Sequence, residues 1–435
     1  MKANAFQQLN VIVATAALLA ACTPQKTDTK NAKDVKSQEN AIGGLTDSIV
    51  PPAAPKRKIS ENAKVDFKKL TKQYEAATKG KTLDLSTCES LASSFGDLYA
   101  DHPKVIEAKF NQGALLFECG KLKEAEAVFR DIIAKQPNYG PALNDLGVMA
   151  LARGQHGAAH DFFRKAARAK NSAGYANVGM LARNSALRGD INTLIKARNN
   201  VFRALAVDSR NINAYETLAT IIYDHAKTKA KLELARLIAV QAIEREPTHA
   251  PLYNLLGLIL LKQNEVTRAL KQFRKAVSFD NTLRDAHMNI GAITLSFRDY
   301  RAAGQAFETV LKASPNKAMK VDATIGLGVA LRGQRKFKEA MAKYQVAQGL
   351  QPQNDSIAYN MGILVQDYLF DASNPATAIE QLQKALRFLE RYVHGSHRLR
   401  RRDAKRRIKN IKEMIPMLRE QQKMMAEMQK QQGGK

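Results

Sequence analysis

Three cysteines, two neighbouring histidines and one glycine-rich run are the places where this 435-residue chain holds chemistry beyond packing. Cys22 ends an apolar run, Leu9 to Ala21, and the chain turns polar at Thr23. A bilayer span needs about 20 apolar residues. This run is shorter, and Asn10 and Thr15 interrupt it. It reads instead as a secretory signal, with Lys2 in the charged part and small residues before the cut. His156 and His160 stand four apart, a spacing able to hold a metal, but no third ligand pattern accompanies them. Surface histidines are the expectation. Residues 326–333, Gly-Leu-Gly-Val-Ala-Leu-Arg-Gly, lack the Gly-Lys-Ser/Thr ending and the preceding strand of a phosphate loop. The sequence therefore predicts no catalytic residues, no metal and no cofactor.

Leu19-Ala20-Ala21-Cys22 resembles the lipobox of bacterial lipoproteins. The resemblance implies a diacylglyceryl group on the Cys22 thiol, cleavage before Cys22 and acylation of the new amine. More than one chain meets the requirement for stable anchoring. The alternative is an ordinary signal peptide with a chance cysteine. Thr23 stands where many inner-membrane lipoproteins carry Asp, so the resemblance implies the outer membrane, periplasmic face. Residues 1–21 are then the signal peptide and 22–64 a lipidated tether. The tether is rich in Lys, Asp, Asn, Ser and Thr, holds Gly43-Gly44 and contains Pro51, Pro52 and Pro55. It has too little apolar surface to fold.

The elements that would carry a function follow from composition and periodicity. The hydrophobic fraction of 45% allows a real core, Trp is absent, and the net charge of +27 favours anionic partners. A small residue recurs inside an apolar helix at Gly113, Gly147, Gly179, Ala219, Gly257, Gly291, Gly328 and Gly362. A second small residue follows at Ala125, Ala159, Ala197, Ala235, Ala269, Ala303, Ala340 and Ala378. Four residues later come Phe129, Phe163, Val201, Ala239, Phe273, Phe307, Tyr344 and Leu382. The Gly-type spacings are 34, 32, 40, 38, 34, 37 and 34. This pattern resembles the tetratricopeptide repeat, a helix–turn–helix unit. It predicts an all-α superhelical solenoid with eight repeats over 105–390, N-terminal helices and a half repeat over 65–104, and a basic amphipathic capping helix and tail over 391–435. The third repeat is long in its second half, the fourth has Ala for Gly, and the eighth inserts Phe-Asp-Ala-Ser-Asn-Pro between its helices.

Cys88 and Cys119 lie about equally far from the predicted turn at His102-Pro103, so antiparallel helices would bring them level. A disulfide is expected there, with two buried thiols as the alternative. Asn111, Asn177, Asn289 and Asn360 each precede a repeat Gly by two residues. They resemble the asparagine ladder of O-linked N-acetylglucosamine transferases, which implies amides gripping a peptide backbone on the helix-A side. Asp145 and Leu255 break the ladder, with Asn144 and Asn254 one place early.

Residues 391–412 carry ten Lys or Arg and one Asp. Arg398, Arg400, Arg401, Arg402, Lys405, Arg406 and Arg407 form a basic patch. Ile408, Ile411, Ile415 and Leu418 make an apolar stripe beside it. The stripe predicts a cap on the last repeat, kinked at Pro416. The basic face would meet anionic lipid, cell-wall polymer or an acidic protein. The export signal argues against nucleic acid.

Together these readings predict a lipid-anchored, periplasm-facing scaffold, not an enzyme, that binds protein partners of an envelope machine. The tether and eight-repeat layout is most similar to the adventurous gliding-motility TPR lipoproteins. The alternatives are an accessory of cell-wall enzymes or peptidoglycan, and a pilotin-like assembly factor of a type IV pilus or secretin.

Overall fold

The computed structural model describes residues 59–78, 83–186, 191–313, 316–371, 373–395 and 399–432. Cys22, the signal, most of the tether and Arg398 lie outside them. The described residues hold nineteen α-helices and no strand. They divide into two compact units, one ending at Gln263 and the other beginning at Asn264.

The first unit holds α1 (Glu61–Thr78), α2 (Leu85–Asp101), α3 (Ile106–Glu118), α4 (Leu122–Lys135), α5 (Gly140–Ala152) and α6 (His156–Arg168). It continues with α7 (Ser172–Ala186), α8 (Ile191–Val207), α9 (Ile212–Asp224), α10 (Lys229–Arg245) and α11 (Ala250–Lys262). Successive helices pair as hairpins, and each hairpin packs on the next. The predicted half repeat gains a partner: Ala63 and Phe67 of α1 pack on Phe95 of α2, with the Phe67 and Phe95 rings edge to face at 5.8 Å. Helix α1 thus begins at Glu61, inside the segment expected to be tether, because Phe67, Leu70 and Tyr74 give it an apolar face.

The second unit holds α12 (Val266–Phe279), α13 (Arg284–Ser296), α14 (Tyr300–Lys312), α15 (Lys317–Gly333), α16 (Phe337–Leu350) and α17 (Asp355–Leu364). A short π-helical turn (Val365–Leu369) leads through the inserted loop to α18 (Pro375–His394), and α19 (Arg401–Gln432) closes the chain. Helix α15 contains the 326–333 glycine run. Helix α19 passes through Pro416 without interruption.

Small residues set how closely the hairpin helices approach. A Cβ added at Gly147 of α5 would come within 2.6 Å of the Phe163 ring of α6, and one at Gly113 of α3 within 2.7 Å of Phe129 of α4. Phe129, Phe163 and Tyr344 are fully buried, as are Ala125, Ala159 and Ala340 on the same helices. The turn between paired helices is closed by a backbone bond spanning five residues: Lys121 N–H to Leu116 C=O, Gln155 to Ala150, Asp299 to Thr294 and Lys336 to Leu331, each 2.8 to 2.9 Å. This is the Schellman arrangement, which requires a left-handed residue after the helix. Gly120 (φ 78°) and Gly154 (φ 74°) supply it without a steric cost, whereas Arg298 (φ 61°) and Arg335 (φ 64°) adopt it with a side chain attached.

Candidate functional site

The helix-A faces of the first unit carry the polar groups that packing alone does not require. Asn144 and Asp145 on α5 sit beside Asn177 on α7. The Asn177 Nδ2 donates to Asn144 Oδ1 at 2.8 Å, and Asn144 Nδ2 donates to Asp145 Oδ1 at 3.1 Å. Burial pushes the Asp145 carboxyl up to about 6, partly offset by the hydrogen bond from Asn144. Six residues further along α7, the guanidinium of Arg183 meets the Asp224 carboxylate of α9, with Nε to Oδ2 at 2.5 Å. Both side chains are less than a tenth exposed. Lys262 of α11 donates to the Tyr223 carbonyl at 2.8 Å and lies 4.0 Å over the Tyr223 ring. Burial lowers the Lys262 ammonium from its ordinary range, against the pull of Asp224. Burial and the Asp224 charge together push the Tyr223 hydroxyl up to about 12, with Arg183 opposing. These groups link four successive repeats along one side of the unit.

The four-membered asparagine ladder does not stand as a row of accessible amides. Asn177 is 2% exposed and spends a donor on Asn144, and Asn289 is 1% exposed within α13. Asn360 on α17 is half-buried; its Nδ2 donates to the Ser356 carbonyl at 2.9 Å and its Oδ1 accepts from Arg332 at 3.3 Å. Asn111 on α3 keeps accessible surface. For Asn177 the physical reason is the broken phase at Asn144. That amide, one place early, accepts from Asn177 across the repeat boundary and donates in turn to Asp145.

Sequence reasoning noted Asp145 only as a gap in the ladder and missed the Arg183–Asp224 pair. Phase does not mark that pair, because Arg183 stands four residues after Gly179 and Asp224 five after Ala219. The second unit adds one comparable group. Burial pushes the Asp285 carboxyl on α13 up to about 6, against the pull of Arg284.

Cys88 on α2 and Cys119 at the end of α3 are joined by a disulfide, with Cα atoms 6.0 Å apart. His160 lies 3.9 Å from Asp161, and no group of three or more His, Cys, Asp or Glu among the described residues is placed to hold a metal. No described helix is long and apolar enough to cross a membrane.

The C-terminal basic run divides once its partners are visible, which corrects the expectation of one continuous free face. Arg407 is paired with Asp367 at 2.7 Å and Asp403 at 2.8 Å. Arg406 pairs with Asp403 at 2.5 Å, and Arg401 donates to the Gly395 carbonyl at 2.7 Å. Arg400 lies 5.8 Å over the Tyr359 ring while remaining exposed. Arg402 and Lys405 project to solvent. The acidic partners stand up to 40 residues away in sequence, so the run alone could not show how many charges were already used. Beneath it Ala404, Ile411, Ile415 and Leu418 are buried against α18 residues Leu382, Leu389 and Tyr392, which is the cap that the apolar stripe predicted.

A family profile of the tetratricopeptide repeat matches residues 110–174, 225–283 and 294–355. Among solved structures, the human IFIT1 dimer with m7Gppp-AAAA aligns with a TM-score of 0.50 at 16% identity, over 82% of this chain and 91% of that one. A thermophilic TPR protein of Thermus thermophilus aligns with a TM-score of 0.37 at 20% identity, over 43% and 98% of the two chains. The MamA protein aligns with a TM-score of 0.32 at 17% identity, over 41% and 93%. The likeness concerns the fold. The chain is an all-α solenoid of tetratricopeptide repeats, an architecture that serves as a scaffold for protein partners.

Proposed function

We propose that the chain is a lipid-anchored scaffold of the bacterial envelope that captures a partner protein along the helix-A side of its repeats. The observation that carries the reading is the polar row of the first unit. Asn111, Asp145 and the Arg183–Asp224 pair stand on the first helices of successive repeats, where a mere stack needs only apolar contacts. An amide that donates and accepts and a carboxyl that accepts, one repeat apart, suit the N–H and C=O groups of an extended main chain. A carboxyl held near neutral pH by burial also gains from a donor brought by a ligand. The lipobox-like Leu19-Ala20-Ala21-Cys22 supports attachment at Cys22 and a periplasmic address on the outer membrane. The tether and eight repeats support a place in a gliding-motility or related outer-membrane assembly, by resemblance to lipoproteins of that layout.

The test compares the parent with an Asn111→Ala, Asp145→Ala variant in capture from solubilised envelopes, with mass spectrometry of the Cys22 peptide alongside. The expected result is loss of one specific co-purifying protein with the fold intact. Equal capture by both chains would sink the helix-A reading. An unacylated mature Cys22 would sink the anchor.

A further inference from the structure

Away from the helix-A row, the first unit holds an open cleft of about 720 Å³ between α6 and α8, floored by α7. One wall carries His160, Arg164 and Arg168; the other carries Lys196, Asn200 and Arg203. On α6 these residues are four apart, and on α8 they are four and three apart, so each set forms one stripe down its helix. At about 1.5 Å of rise per residue, each stripe runs roughly 10 to 12 Å. The floor is formed by Tyr175, Val178, Leu181 and Ala182. No described carboxylate is among the residues that line the cleft, and Asp161 lies 3.9 Å from His160. Arg164, Arg168, Lys196 and Arg203 are all exposed, and none has an ion-pair partner among the described residues. This contrasts with the C-terminal run, where Arg401, Arg406 and Arg407 are held by acceptors of their own chain.

We propose that this cleft docks an acidic segment of a partner protein, lying between α6 and α8 with its carboxylates on the two basic walls and apolar side chains on the floor. The distribution of charge selects this occupant. A lone phosphate needs donors that converge on one point, whereas here the cations are spread along two walls over two helical turns. Single-stranded nucleic acid is gripped by aromatic platforms that stack successive bases, and the floor offers one aromatic ring, Tyr175, among aliphatic side chains. A headgroup surface is too flat to reach the floor of a cleft between two helices. A second copy of the chain is repelled by the net charge of +27. An extended peptide repeats its side chains on one face about every 7 Å, which lets Glu or Asp reach successive guanidinium groups while Leu or Val meets Val178 and Leu181. Arginine suits that role because its planar fork takes a carboxylate through two bonds.

The cleft lies on different helix faces from the polar row, so loss of either activity leaves the other to be measured. The test uses the full chain in detergent and a short fluorescein-labelled peptide of repeating Glu-Glu-Leu, read by anisotropy at low and physiological salt. The parent should bind it, more weakly as salt screens the walls. Combining Arg164→Glu, Arg168→Glu, Lys196→Glu and Arg203→Glu should weaken binding about tenfold or more, since repulsion replaces attraction at a charged rim. The four matching Gln substitutions should give an intermediate loss. A Glu-Glu-Ser peptide should bind more weakly than Glu-Glu-Leu, because it cannot use the floor. Equal binding by the parent and the charge-reversed chain would overturn the proposal. So would equal affinity for the Leu and Ser peptides. A single-stranded oligonucleotide or a phosphatidylglycerol vesicle that displaces the peptide and depends on the same four residues would replace the acidic segment with a phosphate-bearing ligand.

Discussion

The two ends of the repeat array are closed by different chemistry. A terminal repeat exposes an apolar face that must be covered. At the N-terminal end α1 covers it, and the Cys88–Cys119 disulfide ties the next two helices, α2 and α3, together. At the C-terminal end α19 covers α18, and Arg407 clamps Asp403 of its own helix to Asp367 beyond α17. The Tyr359 hydroxyl donates to Asp403 at 2.8 Å, which adds α17 to the clamp. One end is therefore sensitive to reducing agents and the other to pH. Each lock joins segments that sequence proximity does not hold together.

The largest expected effect breaks the N-terminal lock. Replacing Cys88 and Cys119 with Ser removes a crosslink spanning 31 residues and should cost about 3 to 4 kcal/mol of unfolding free energy. Denaturant melts of the oxidised parent and the variant measure it. The loss should be confined to α1–α4 by hydrogen exchange, leaving α18 and α19 protected as before. Next comes the C-terminal lock. Arg407→Met leaves two carboxylates facing each other near a partly buried site and should cost about 2 kcal/mol, below the fully buried case because Arg407 is 19% exposed. Burial pushes the Asp403 carboxyl up, but hydrogen bonds from Tyr359, Arg407 and Arg406 outweigh this and hold it below its ordinary value. A depressed carboxyl stabilises the folded state above its unfolded pKa, and that contribution fades as pH falls through the folded value. The protection of α19 should thus weaken below about pH 4 in the parent, and little further in Arg407→Met. A disulfide variant that loosened α19 equally would erase the distinction between the two ends.

How much of this was readable in the sequence depended on the range of the interaction. The disulfide came from counting outward from one turn, and the cap from the stripe of Ile411, Ile415 and Leu418. The recurrence of a small residue and a following large one in each repeat was visible in phase, but that Gly113, Gly147, Gly291 and Gly328 meet the aromatic ring of their own hairpin partner took the structure to show. The polar groups did not repeat. Nothing in the phase of Asn177 says that Asn144, 33 residues earlier, takes up one of its donors. The basic run likewise looked free until Asp367 was brought beside Arg407. Only the start of helix α1, Glu61 to Lys64, was hidden, for another reason: its apolar face is small there, and charged residues surround it in the sequence.

The second repeat, outside both locks, provides a control for both ends. Asp145→Asn keeps the side-chain shape and removes a carboxyl that burial holds at about 6. The folded pKa stands above the unfolded value of about 4, so the folded state binds more protons between those limits, and stability falls as pH rises through them. The substitution should therefore stabilise the protein by about 1 to 2 kcal/mol at pH 7, with the gain vanishing below about pH 4. This is the opposite sign to the Asp403 dependence at the C-terminal end. Thermal melts across that range test it, and a gain independent of pH would remove burial of the charge as its cause.

The smallest effect concerns a turn rather than an end. Arg335 takes a left-handed conformation (φ 64°) between α15 and α16, where Gly120 and Gly154 do the same work in the first unit. A side chain in that region costs about 1 kcal/mol or more. Arg335→Gly removes this cost but adds freedom to the unfolded chain, which takes back part of the gain. The net expectation is a stabilisation of about 0.5 to 1 kcal/mol, read as a rise in melting temperature without change in the disulfide or the α19 clamp. The five-residue turn bond from Lys336 N–H to Leu331 C=O, at 2.9 Å, should remain. Arg335→Ala is the discriminating partner: it keeps the Cβ and hence the strain, so it should yield none of the gain. Equal stabilisation by Gly and Ala would show that loss of the arginine's charge in a +27 chain, and not relief of the backbone, was responsible.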